Sequence, residues 1–246
     1  MTIPGLFRIS GLLLALAVAC ANARGTEDVG GFDAETPDSF PISDLPLIVV
    51  PATTDATDTL AVIVSGDGGW AGLDKSVSRA LAARGISVVG LNSLRYFWHR
   101  RTPDETGQAL ERVLRHYLSA WQKQRILLIG YSRGADVMPF MASRLPVDLR
   151  ARIDLVALLG PATDIAFSFR ITDWLGKKRR DAVPTLPEIR KLAGLKILCV
   201  YGSDEHASVC PLLPAGLAIL DELPGGHHFG GDYKRVAETI LAARGH

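Results

Sequence analysis

The chain has 246 residues, with 27 Lys and Arg against 26 Asp and Glu, a net charge of +1. Such a balance makes no strong global field, so no nucleic-acid partner is expected. Three cysteines and six histidines form no ladder at metal-ligand spacing, so no metal or other cofactor is expected either.

Residues 1–23 are set aside first. Arg8 precedes a short apolar core from Leu12 to Val18, and Ala21-Asn22-Ala23 is an A-x-A cleavage site. That is the layout of a secretory signal peptide, with an apolar stretch too short to span a membrane, and it predicts a periplasmic protein. Leu16-Ala17-Val18-Ala19-Cys20 also partly matches a lipoprotein processing box, which makes an anchor through Cys20 the alternative. The remainder, about 220 residues, suits one α/β domain with a full core. The two remaining cysteines, Cys199 and Cys210, flank a short loop and are expected to form a disulfide in an exported protein.

Residues 24–46, rich in Gly, Asp, Glu and Pro, read as a flexible leader or a weak first strand, and the folded domain is taken as 47–246. The pattern then alternates. Strands are predicted at 60–64, 86–90, 125–129, 155–159, 196–201 and 217–220. Helices are predicted at 73–84, ended by Gly85, at 134–144 and at 232–244. A further helix starts at the capping box Thr102-Pro103-Asp104-Glu105, with Leu110, Val113, Leu114, Leu118 and Trp121 on one face. The strands are near-continuous apolar runs, which predicts a mostly parallel sheet covered by helices on both faces. Residues 161–190 break the rhythm with several prolines, Trp174 and the basic run Lys177-Lys178-Arg179-Arg180, and read as a small lid insertion.

Gly130-Tyr131-Ser132-Arg133-Gly134 is a G-x-S-x-G between an apolar strand and a helix. A serine hydroxyl is a poor nucleophile unless rigid backbone holds it exposed beside a base, and a strained strand-to-helix turn does this. In α/β-hydrolases the catalytic triad follows in the order Ser, acid, His, each at a strand end. Strand 196–201 runs into Gly202-Ser203-Asp204-Glu205, so Asp204 is expected to be the orienting acid, with Glu205 the fallback. After the last strand comes Pro224-Gly225-Gly226-His227-His228-Phe229. His228 is expected to be the base and His227 the alternative. His99, His116 and His206 have no such placement. The oxyanion of an acyl-transfer intermediate needs two donors. These are assigned to the N–H of Arg133 and the N–H of Asp67 in the loop Ser65-Gly66-Asp67-Gly68-Gly69-Trp70. The Asp67 carboxylate would oppose an oxyanion, so it is expected either to point away and bind a cationic group of the substrate or to cap a helix.

With these residues assembled, the chain resembles the bacterial virulence proteins of the VirJ/AcvB type, a branch of the α/β-hydrolases. The resemblance rests on Val64-Ser65-Gly66-Asp67-Gly68-Gly69-Trp70, Asn92-Ser93-Leu94-Arg95-Tyr96-Phe97-Trp98, Gly130-Tyr131-Ser132-Arg133-Gly134-Ala135-Asp136-Val137 and Pro224-Gly225-Gly226-His227-His228-Phe229. AcvB-like members have an extra N-terminal domain, and this chain resembles the shorter VirJ-like form. The resemblance implies periplasmic hydrolysis of aminoacyl-phosphatidylglycerol, chiefly the lysyl ester, at a membrane surface, and for some members a part in virulence-related secretion. It carries the triad onto Ser132, Asp204 and His228. Lys177 to Arg180 and Trp174 would then meet the lipid surface or form a solvated lid face. Arg95, Tyr96, Phe97 and Trp98 would line the pocket or pack beneath the lid. A general carboxylesterase or thioesterase, and a secretion accessory that binds partner proteins, are the competing readings.

Overall fold

The computed structural model describes residues 40–168 and 180–245. The expected signal peptide with Cys20, most of the leader, Trp174 and Lys177 to Arg179 lie outside the described residues. The first strand, β1 (Leu47–Val50), begins just after the expected leader. It is followed by β2 (Thr59–Val64), α1 (Gly72–Ala82), β3 (Ser87–Leu91), the single turn α2 (Ser93–Tyr96), α3 (Pro103–Ala120), β4 (Arg125–Tyr131) and α4 (Arg133–Ser143). Then come the turn α5 (Val147–Arg150), β5 (Ile153–Leu159), and a two-residue pair, β6 (Asp164–Ile165) with β7 (Val183–Pro184). The short helix α6 (Leu186–Arg190), β8 (Ile197–Gly202), β9 (Ile219–Leu223) and α7 (Tyr233–Arg244) close the chain.

Seven strands form one sheet in the order β1-β3-β2-β4-β5-β8-β9. All neighbours are parallel except β1, which runs antiparallel to β3 at one edge. Side chains of a strand alternate between its faces, and β2 shows how both faces become core. Leu60, Val62 and Val64 pack with Leu110, Val113 and Leu114 of α3 and with Val137 and Met138 of α4. Ala61 and Ile63 pack with Leu73, Val77 and Leu81 of α1 and with Val236 and Ile240 of α7. Every residue of β2 is buried, as expected for a central strand between two helical layers.

This connectivity creates the crevice in which the site lies. From β2 the chain leaves through α1 on one face and returns to β3. From β4 it leaves through α4 on the other face and returns to β5. Neighbouring strands β2 and β4 therefore send their loops apart, and a cleft opens at their C-terminal ends, the switch point at which open α/β sheets bind ligands.

The capping box forms as predicted: the Thr102 N–H donates to Glu105 Oε2 at 2.6 Å, and the Glu105 N–H donates to Thr102 Oγ1 at 3.1 Å. The last strand is displaced from its predicted position at 217–220 to 219–223. As an edge strand it leaves Ile219 and Leu220 exposed, so its apolar run does not mark its paired residues. Cys199 in β8 and Cys210 form the expected disulfide, with Cα atoms 5.7 Å apart. A bonded pair fits an oxidising compartment.

Candidate active site

Ser132 sits between β4 and α4 at φ 53°, ψ −121°, a region that a residue with a Cβ occupies only when its surroundings impose it. The flanking glycines let that turn close. A Cβ on Gly130 would lie 2.2 Å from the Gly134 carbonyl oxygen, and a Cβ on Gly134 would lie 1.9 Å from the Val64 carbonyl oxygen. Helix α4 thus packs directly on the end of β2. The loop after β2 also packs against the turn, with an ideal Cβ on Gly66 3.2 Å from Ser132 Cβ.

His227 Nε2 lies 2.8 Å from Ser132 Oγ, and His227 Nδ1 lies 2.5 Å from Glu205 Oε1. The second carboxylate oxygen of Glu205 accepts the Gly202 N–H at 3.3 Å. The hydrogen bond that His227 donates to the Glu205 carboxylate raises the His227 pKa above the usual imidazole value. Burial works against it, while the charges of Glu205, Asp136 and Asp67 add to the rise. The arrangement can pass a proton between Ser132 and His227 while Glu205 holds the imidazole tautomer.

Two of the sequence assignments are corrected by this geometry. Asp204 is exposed and meets no histidine among the described residues: its Oδ1 accepts from Ser203 Oγ at 3.2 Å, and its N–H is tied to the Gly225 carbonyl at 3.0 Å. The chain turns after β8, with the Glu205 N–H on the Gly202 carbonyl at 2.9 Å, and this turn brings the side chain one residue later back over the strand end. The fallback residue, Glu205, occupies the acid's place. His228 likewise does not reach Ser132. Its neighbour Phe229 is buried, and the His228 side chain is turned to the surface, where Nδ1 pairs with the Tyr131 hydroxyl at 2.6 Å. The alternative, His227, stacks on the Tyr131 ring at 5.7 Å and points at Ser132.

The Asp67 side chain is paired within the protein. Arg133 Nε donates to Asp67 Oδ1, and the same guanidinium donates to the Ala166 carbonyl at 2.8 Å. A buried guanidinium is therefore the counter-charge of the carboxylate in the loop beside Ser132. Asp67 caps no helix, because Ala71 is the N-cap of α1. The backbone N–H groups of Arg133 and Asp67 belong to the turn and the loop that meet at Ser132. Arg95, Tyr96, Phe97 and Trp98 do not line the cavity at Ser132. Tyr96 and Phe97 are core residues, while Arg95 and Trp98 are exposed. Of the three other histidines, His99 and His206 are exposed and His116 packs on the Tyr117 ring.

Three supporting residues were not singled out by sequence. Gly160, at φ +61° after β5, lies so close that a Cβ there would be 3.0 Å from His227 Nδ1 and 3.5 Å from Glu205 Oε1. Asp136, fully buried on α4, accepts the Ala162 N–H at 2.6 Å and so ties down the loop that carries Gly160. Burial lifts its pKa to about 7. Tyr131 supports both histidines. Their sequence signals are faint: a glycine closing an apolar strand, an acid on a buried helix, and the variable position of the pentapeptide.

A cavity of about 380 Å³ opens on Ser132 and His227. Its walls are the 66–74 segment, Tyr131, His228 and Tyr233. The sheet order and the elbow define an α/β-hydrolase fold. Solved structures agree in fold at low identity. A serine hydrolase without a lid from Xanthomonas campestris superposes with a TM-score of 0.53 at 15% identity, over 80% of this chain and 86% of that one. The esterase domain of a Rhodothermus marinus protein gives 0.58 at 16%, over 81% and 92%. A serine hydrolase homologue from Coxiella burnetii gives 0.55 at 15%, over 80% and 89%. No curated protein matches the sequence. The model of the VirJ family, described as bacterial virulence protein, matches residues 58–245, and the chain belongs to that family.

Proposed function

We propose that the protein is a serine esterase of the periplasm that hydrolyses aminoacyl-phosphatidylglycerol, lysyl or alanyl, to the amino acid and phosphatidylglycerol. The observation that carries the esterase reading is the continuous line from Ser132 Oγ through His227 to Glu205, with spans of 2.8 and 2.5 Å, at the floor of one cavity. The substrate class comes from the family resemblance. The disulfide supports an exported location. The cavity is at the small end of ligand pockets, with room for an aminoacyl group while the diacylglycerol part stays outside.

In this mechanism His227 Nε2 takes the proton of Ser132 as Oγ attacks the ester carbonyl. The negative charge moves to the carbonyl oxygen, where the N–H groups of Arg133 and Asp67 receive it. As the intermediate collapses, the ester C–O bond breaks and His227 returns its proton to the leaving glycerol oxygen. An aminoacyl ester on Ser132 remains. His227 then deprotonates a water, which attacks that ester. The second intermediate expels Ser132, which recovers the proton, and the amino acid leaves. Glu205 stabilises the imidazolium through the hydrogen bond it accepts from His227 Nδ1.

Purified protein and its Ser132→Ala variant, incubated with lysyl- and alanyl-phosphatidylglycerol vesicles, test this reading. Loss of amino-acid release in a folded variant is the expected result, and equal release by both proteins defeats it. A general carboxylesterase is the second reading, favoured by the esterase domain among the structural neighbours. It predicts turnover of simple esters without turnover of the aminoacylated lipid.

A further inference from the structure

Among the acidic groups that surround Ser132, Asp74 stands out by a buried carboxylate oxygen without a hydrogen-bond partner among the described residues. Glu205 spends both oxygens on His227 and the Gly202 N–H. Asp67 is held by Arg133, and Asp136 accepts the Ala162 N–H away from the cavity. Asp74, in the first turn of α1, lines the cavity together with Ser132 and His227. Its side chain is buried, at 2% exposure. One oxygen, Oδ2, accepts the Ala71 N–H at 3.2 Å, while Oδ1 has no hydrogen-bond partner among the described residues. No Lys, Arg or His among them forms an ion pair with it. Closing the first turn of a helix needs only one carboxylate oxygen and does not require burial. A buried carboxylate oxygen left unbonded is costly, and the residue that carries it lines the cavity at Ser132.

We infer that Asp74 and the rings of Tyr131 and Tyr233, which line the same cavity, form a subsite for the ammonium group of a cationic acyl chain whose ester carbonyl lies at Ser132. An ammonium brings what Oδ1 lacks, a charged donor, and aromatic rings are the common company of a bound cation. Burial raises the Asp74 pKa to about 7, and a bound ammonium would hold the group ionised. Asp67, which lines the same cavity, already has the Arg133 guanidinium as a cationic partner. The inference rests on the esterase reading of Ser132 and assigns to Asp74 the selection of an aminoacyl over a neutral acyl group.

The test compares p-nitrophenyl esters of alanine and of propionic acid, which differ by one ammonium group, on the wild-type protein and on Asp74→Asn. The alanine-to-propionate ratio of kcat/KM is expected to fall at least tenfold in the variant, chiefly through KM. Taking the ratio of ratios cancels the intrinsic reactivity of the two esters. A ratio unchanged by the substitution overturns the subsite while leaving the esterase standing. No Ser132-dependent turnover of either ester overturns the esterase reading and the subsite with it. Should Asp74→Asn fail to fold, Asp74→Ser repeats the comparison. Inhibition of wild-type propionate turnover by L-alaninamide and by propionamide needs no variant: selective inhibition by the cation supports the subsite, and equal inhibition overturns it.

Discussion

Glu205→Gln, set beside Asp204→Asn, tests the central correction to the sequence reading. Glu205 Oε1 is 2.5 Å from His227 Nδ1, and the Glu205 side chain is only 10% exposed, so water does not readily replace it. A hydrogen bond to a charged group contributes about 1.5–3 kcal/mol. At about 1.36 kcal/mol per decade of rate, loss of that bond alone slows the reaction about 10- to 150-fold. A carboxamide does further harm. Its NH₂ can donate to Nδ1, which moves the imidazole proton to Nε2, where the proton of Ser132 has to be accepted. In Ser-His-Asp enzymes that tautomer error costs about 10⁴ in kcat. Glu205→Gln is therefore expected to lose about 10²- to 10⁴-fold in kcat on a p-nitrophenyl ester, whereas Asp204→Asn stays within about threefold, as for other exposed side chains.

The pH profile gives a second readout. The base must be neutral to accept a proton, so activity falls as pH drops through the His227 pKa. Because Glu205 raises that pKa, the acid limb of wild-type kcat/KM should lie above the ordinary imidazole value of about 6.5. In Glu205→Gln it should move to lower pH, with Asp136 and Asp67 still contributing part of the rise. Large loss in Asp204→Asn with little loss in Glu205→Gln would refute the assignment of the acid.

Gly134→Ala places a Cβ 1.9 Å from the Val64 carbonyl, so it should destabilise the fold by about 3 kcal/mol or more, and a wild-type urea midpoint would contradict this. Gly160→Ala puts a methyl 3.0 Å from His227 at φ +61°. Displacement of the imidazole by even a fraction of an ångström should cost about tenfold or more in kcat, measurable with any turned-over ester, and unchanged kcat would show that Gly160 does not position the base. Replacing Cys199 and Cys210 by Ser opens a loop with a sequence separation of 11 and should cost about 3 kcal/mol. For a domain of this size that lowers Tm by about 6–12 °C, to be read by calorimetry, and an unchanged Tm would remove the disulfide from the stability of the fold.

Much of the fold was legible because its signals are local. Continuous apolar runs marked β2, β4, β5 and β8, whose burial on both faces leaves no alternation to misread. Thr102 and Glu105 announced the start of α3 through bonds that span three residues. Edge strands were harder, since β1 and β9 are only partly covered and their hydropathy does not track their pairing. In the site, Ser132 was legible because its turn requires Gly130 and Gly134 at fixed offsets. Asp74 carries no motif: its distinction is an oxygen left without a partner, which no sequence spacing records.

The amino-acid sequence by itself determined the layered α/β fold, the elbow at Ser132, the disulfide pair and the two short loops that bring a carboxylate and a histidine toward Ser132. These follow from backbone sterics, burial and chain order. Only the tertiary structure decided between Asp204 and Glu205 and between His227 and His228. Adjacent residues on a loop point in different directions, and which one faces Ser132 depends on how each turn is pinned. The Asp204 N–H on the Gly225 carbonyl and the burial of Phe229 do that pinning, and both are contacts with parts of the fold that local sequence does not specify.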